Sequence, residues 1–143
     1  MSDATRPSEE DAYDELQCYT LERGDATFIH QHVVDAWAAQ QADEHTKPIG
    51  VTFALAGLYL HLERGFTGRQ VQQAHMALAR QPRSWPSFSL PHDRGSVTAS
   101  QVVAAPAGAE RDEAIDAWCA SVWAAFHDSH QAVAELLKRH GIA

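Results

Sequence analysis

In the last third of the chain, apolar residues recur at the spacing of one helix face. This pattern constrains the fold more than any other feature of the sequence. Between residues 109 and 140 the apolar positions recur every three or four residues. With one serine they form a single stripe: Ile115, Trp118, Cys119, Val122, Phe126, Ser129, Val133, Leu136 and Leu137. Such a stripe is the core-facing side of a bundle helix. Alternation with period two never extends beyond a few residues, so the sequence predicts an all-α fold without a sheet.

Capping residues divide the chain into about five helices. Serine or threonine before acidic residues or glutamine marks helix starts, proline fits a first helical turn, and glycine marks helix ends. The predicted helices span residues 8–23, 25–41, 48–63, 67–81 and 109–140, with a short helical turn after residue 98. The third is apolar nearly all round, which predicts a central position. Residues 1–7 are predicted to be a disordered lead, and residues 8–143 to form one small bundle domain.

The loop at residues 82–95 is expected to be ordered. Trp85, Phe88 and Leu90 lie in it, and leaving three large apolar side chains in water is unfavourable. We therefore expect them to pack against the helices.

Composition excludes several classes of protein. The formal net charge of −8 argues against binding to nucleic acid or to an anionic membrane. The longest apolar stretch, residues 49–62, is too short to span a bilayer, and the polar N-terminus does not resemble a signal peptide. Cys18 and Cys119 form no C-x-x-C pair, which excludes a zinc ribbon or a redox motif. We expect two buried free thiols, with one long-range disulfide as the alternative. The sequence predicts a cytoplasmic protein.

Histidines are the most distinctive candidates for chemistry, since the chain contains nine. At about 100° per residue, His30 falls on the face of the second helix that carries Val33, Val34 and Trp37, which we predict to be the inner face. His61 falls on the line of Leu58 and Gly57 in the third helix, and His75 on an apolar stripe of the fourth. In the last helix His127 and His130 form an i, i+3 pair at the edge of the stripe, so both can reach one ion.

The metal hypothesis follows from these positions. Bundle proteins build metal sites from side chains on facing helices, and imidazole is a common ligand for zinc and other divalent ions. We therefore predict a site for a divalent metal, with zinc as the first choice, formed by His30, His61, His127 and His130. The alternative is that these histidines form hydrogen bonds within the core.

Two carboxylates are candidates for a supporting role. Asp35 shares one side of the second helix with His32, opposite the predicted inner face, and Asp116 lies on the flank of the last helix with Trp123 and His127. Asp35 and Asp116 could form an acid/base pair, although carboxylates on a helix flank are also commonly solvated.

Three segments carry a resemblance to a known family. Residues 28–41, residues 57–65, and residues 118–123 followed by His130 resemble a family of small bacterial helical proteins of unknown function. The pattern of that family falls on these positions: His30, Asp35, Gln40, Trp118, Trp123 and His130. The chain departs from the pattern in lacking a Cys-rich zinc-like segment, in having Gln41 where the family has histidine, and in having Ala54 where many relatives carry histidine at the start of the apolar helix.

The sequence leaves different functions open. The first is a metal-binding bundle protein, with an enzymatic reaction as one alternative. The second is a non-catalytic helical module that binds a small molecule or a partner protein, or another copy of itself, and uses its histidines as core hydrogen-bonding groups. The third is a switch that responds to pH.

Overall fold

The computed structural model describes residues 8–80 and 85–142. These residues form α1 (Glu9–Arg23), α2 (His30–Gln41), α3 (Pro48–Arg64), α4 (Gly68–Ala79), α5 (Ala99–Ala104), α6 (Ala109–Ala125) and α7 (His130–Arg139), with a 3-10 helix, His127–Ser129, between α6 and α7. No strand occurs among the described residues. The all-α prediction is confirmed for this part of the chain, which contains seven α-helices instead of about five. The predicted disordered lead, residues 1–7, lies outside the described residues.

Several helix ends follow the predicted caps. Ser8 Oγ accepts a hydrogen bond from the Asp11 amide at 3.0 Å, which satisfies one of the free N–H groups at the start of α1. Gly24 and Gly65 end α1 and α3 in the left-handed conformation, with φ of 58° and 71°. Thr67 and Gln70 form the predicted capping box of α4. These ends are set by local chemistry, which explains why the sequence predicts them.

The start of α2 differs from the prediction, because the helix begins at His30 instead of directly after Asp25. Residues 25–29 form a turn in which Phe28 has a φ of 57°, a value that residues other than glycine seldom adopt. The start of α4 packs against this turn, since the Arg69 amide donates to the Thr27 carbonyl at 2.8 Å. The Arg69 guanidinium lies 4.7 Å from the centre of the Phe28 ring. Contacts with a distant segment therefore hold the turn.

The predicted last helix is broken at Phe126. The Phe126 amide bonds to the Trp123 carbonyl at 3.0 Å, the Ser129 amide bonds to the Phe126 carbonyl at 2.8 Å, and α7 starts at His130. Every residue of the predicted stripe is nonetheless buried. A 3-10 helix repeats every three residues, so Ser129 stays on the inner side below Phe126.

Helix α3 occupies the predicted central position, in contact with α2, α4, α6 and α7. The loop before α5 is held as predicted, because Trp85, Phe88 and Leu90 pack against the core. Both cysteines are free, but only Cys119 is buried, so the prediction of two buried thiols is wrong for Cys18. None of the described helices combines the length and the apolar character needed to cross a membrane.

Candidate functional site

Polar side chains lie at the junction of α2, α3 and α6. His61 on α3 places Nε2 3.0 Å from Asp116 Oδ1 on α6 and Nδ1 3.3 Å from the Phe66 carbonyl oxygen. Its ring stacks on that of His32 on α2, with centroids 3.6 Å apart and planes 18° apart. The hydrogen bond to His61 holds the pKa of Asp116 below its usual range. Burial, with a smaller contribution from the charge of His61, lowers the pKa of His32 to about 4.

The inner face of α2 is rotated from the predicted one, and of the predicted residues only Val33 is buried. Its buried residues are His32, Val33, Asp35, Ala36 and Ala39, whereas Val34 and Trp37 are only partly buried. Trp37 instead stacks on Tyr13 of α1, with ring centroids 4.4 Å apart. The prediction followed the bulky residues, but alanines let α2 approach its neighbours closely. The spacing of His32, Ala36 and Ala39 was the signal that could have identified His32.

Asp35 is the most unusual polar group of the core, with only 3% of its surface exposed. Gln31 Nε2 donates to Asp35 Oδ1 at 3.1 Å, and Oδ2 has no hydrogen-bond partner among the described residues. The carboxyl group faces Gly57 of α3, where an added Cβ would lie 1.9 Å from Oδ2. Burial raises the pKa of Asp35 well above its usual range. Asp116 is bonded to His61 and Asp35 to Gln31, so the two carboxyl groups do not pair directly.

His30 and His130 lie in different surroundings. His30 Nδ1 is 2.9 Å from Thr20 Oγ1 of α1, and burial lowers the pKa of the imidazole. His130 stacks on Trp123, with ring centroids 3.7 Å apart, and its Nε2 donates to the Trp123 carbonyl at 2.6 Å. Trp123 Nε1 in turn donates to Glu63 Oε2 of α3 at 2.9 Å.

The predicted inward pair of His127 and His130 does not form. The side chain of His127 is 71% exposed and its Nδ1 lies 2.9 Å from Asp128 Oδ1. His130, the first residue of α7, instead stacks on Trp123, so the two imidazoles lie in different surroundings.

Gln40 connects three parts of the fold. Its Oε1 accepts a hydrogen bond from Trp118 Nε1 of α6 at 2.9 Å, and its Nε2 donates to the Val97 carbonyl at 2.8 Å. Beside it, Arg94 Nη1 donates to the Ala42 carbonyl at 2.7 Å, just beyond the end of α2. Gln40 thereby holds the segment before α5 against α2 and α6.

The described residues do not bring the four predicted metal ligands together. Across residues 8–80 and 85–142, no three His, Cys, Asp or Glu side chains are grouped so that they could hold an ion. The Nε2 of His130 must carry a proton because it faces a carbonyl oxygen, so this atom cannot ligate a metal. The lone pairs of an imidazole lie in the plane of the ring, and therefore the stacked rings of His32 and His61 do not converge on one ion.

A groove of about 810 Å³ lies on another side of α6. Its lining residues are Pro91, Asp93, Gly95, Ser96, Ala117, Ala120, Ser121, Ala124, Ala125 and His127. Most of these side chains are small. None of the polar groups at the junction of α2, α3 and α6 reaches the groove.

Residues 6–127 match the model of a family described as a family of unknown function, DUF5946. The chain belongs to this family. The resemblance found in the sequence is thus confirmed at the level of a family of unknown function. The DUF5946 match ends at His127, so α7 and His130 lie beyond it. Comparison with curated proteins and with solved structures gave no match.

Proposed function

We propose that this member of DUF5946 is a non-catalytic helical module whose histidines serve as internal hydrogen-bonding and stacking groups. The observation that carries the proposal is that every position of the resemblance joins two elements of the bundle. His30 contacts Thr20 of α1, and Asp35 contacts Gly57 of α3. Gln40 and Trp118 bond to each other between α2 and α6.

The remaining two positions follow the same rule. Trp123 of α6 donates to Glu63 of α3, and His130 of α7 stacks on Trp123. His75, which is not part of the pattern, also donates its Nε2 proton to the Phe53 carbonyl of α3 at 2.7 Å. One ring nitrogen of each of His30, His75 and His130 forms a hydrogen bond within the chain. This favours a structural role for these histidines over metal ligation.

The separation of the polar groups from the groove supports a module that binds without catalysis. A catalytic site requires its acid, base or nucleophile at a concave surface that a substrate can enter. His32 and Asp35 are 4% and 3% exposed. Of the titratable groups that line the groove, Asp93 accepts a hydrogen bond from the Gly95 amide and His127 pairs with Asp128. A module of this kind would act by recognising a small molecule or a partner protein.

Elemental analysis of protein purified without a metal-affinity tag tests the proposal against the metal-binding alternative. We expect far less than one equivalent of zinc, nickel, iron or copper per chain. A stoichiometric metal would overturn the proposal if it is retained in His45→Ala and lost in His30→Ala or His130→Ala. His45 is the matched control because its side chain is 85% exposed.

A further inference from the structure

The stacked rings of His32 and His61 connect α2 to α3, and Asp116 connects His61 to α6. His32 is buried in this arrangement, while His61 has 18% of its side chain exposed beside the more open Asp116. We propose that the His32–His61 stack is a proton-operated lock on the α2–α3–α6 junction, and that a proton taken up by the His32 ring opens it. This inference is independent of whether the module binds a ligand.

The groups around His32 explain why the folded junction disfavours the imidazolium form of its ring. The charged or titratable groups that act on its ring are His61 of α3, Asp116 of α6 and Asp25 in the turn before α2. Asp116 is bonded to His61, and Asp25 accepts a hydrogen bond from Thr27. Cys119 of α6 contacts the His32 backbone, since its Sγ lies 3.6 Å from the carbonyl oxygen.

The carboxylate of Asp116 is therefore shared between two imidazoles at the junction, those of His61 and His32. If both rings were in the imidazolium form, two positive charges would face each other across a stack with centroids 3.6 Å apart. Because the attraction to Asp116 is shared and His32 is excluded from water, the charged pair is unfavourable. Separation of α2 from α3 would relieve this repulsion and hydrate His32.

The pKa of His32 indicates the pH range in which the lock would act. Its pKa falls from 6.5 to about 4 in the folded state, so folding favours the neutral ring. The stability that depends on neutral His32 is complete above pH 6.5 and is lost as the pH falls towards 4. The full difference corresponds to about a 300-fold change in the folding equilibrium constant.

His32→Phe is the most direct variant, because phenylalanine keeps an aromatic ring on His61 and cannot take up a proton. Chemical unfolding followed by tryptophan fluorescence at pH 7 and at pH 4.5 would give the loss of stability on acidification. We expect wild type and the exposed control His45→Gln to lose the same amount. Between these two pH values, the folding equilibrium constant of His32→Phe should fall by a factor about 60-fold smaller than that of wild type. Equal losses in His32→Phe and wild type would overturn the proposal.

Asp116→Asn provides a second test that does not alter the buried ring, because the Asp116 side chain is 60% exposed. Removing the carboxylate should make the loss of stability on acidification larger than in wild type. A smaller or unchanged loss would contradict the proposal.

Labelling of the buried Cys119 with dithiodipyridine in a Cys18→Ser background reports on the junction itself. At pH 4.5 the wild-type side chain should react faster than the same side chain in His32→Phe. Equal rates in the two proteins would exclude opening at this junction.

Discussion

Replacing Gly57 with alanine would place a methyl group where the buried Asp35 carboxyl group lies. The added Cβ would be 1.9 Å from Asp35 Oδ2 and 2.5 Å from Cγ, well inside the 3.4–4 Å of ordinary contact. Overpacking of this kind lowers the free energy of unfolding by about 1–3 kcal/mol, and the higher helix propensity of alanine offsets up to about 1 kcal/mol of this loss. Because Asp35 cannot swing into solvent, we expect a net loss of about 2 kcal/mol, or roughly 4–8 °C in melting temperature.

Gly50→Ala is the matched control, because it lies in the same helix and its added Cβ would meet only Thr46 Cγ2, at 3.5 Å. That variant should be as stable as wild type or slightly more stable. Asp35→Ala introduced into Gly57→Ala should restore most of the lost stability, since it removes the overlapping group. Urea unfolding of the single and double variants measures this coupling. The reasoning fails if Gly57→Ala is as stable as Gly50→Ala, or if Asp35→Ala costs the same in both backgrounds.

Two further variants test the core. The raised pKa of Asp35 means that its contribution to stability is complete below pH 3.8 and is lost as the pH rises through the folded-state pKa. Asp35→Asn should therefore gain stability relative to wild type as the pH rises from 4 to 8; urea unfolding across that range measures the difference, and a constant difference would contradict the prediction. Phe126→Ala should cost about 3–5 kcal/mol in urea unfolding, because Phe126 is 1% exposed. A loss under about 1 kcal/mol would show that the ring contributes little to the core.

Much of the bundle could be predicted from local signals. Gly24, Gly65 and the Thr67 capping box act within a few residues of the chain, so their chemistry is visible in the sequence. The stripe from Ile115 to Leu137 was also reliable, because burial of bulky apolar groups does not depend on which partners they meet.

The candidate site depended on contacts between distant segments. The Asp35 side chain fits in the core because Gly57, which has no side chain, lies opposite it. Neither residue contributes to a periodic sequence pattern from which this contact could be predicted. The sequence predicts that Trp37 faces inward with Val33, but in the structure its ring stacks on Tyr13 of α1. Once α2 is rotated in this way, the polar His32 enters the core.

The break after α6 could not be predicted from the sequence either. Every residue of the stripe remains buried on both sides of the break, so the sequence pattern looks the same for one helix or two. The difference lies in the backbone, where the Phe126 and Ser129 amides bond three residues back instead of four.

The melting temperature of tag-free protein with zinc, with nickel and with chelator tests the central claim most directly, when wild type is compared with His30→Ala and His130→Ala. If the histidines are structural, both variants should melt below wild type by amounts that are the same in all three conditions. A metal site would instead stabilise wild type by about 2.7 kcal/mol at a metal concentration 100 times the dissociation constant, or roughly 5–10 °C. A rise of that size in wild type that disappears in either variant would contradict the account.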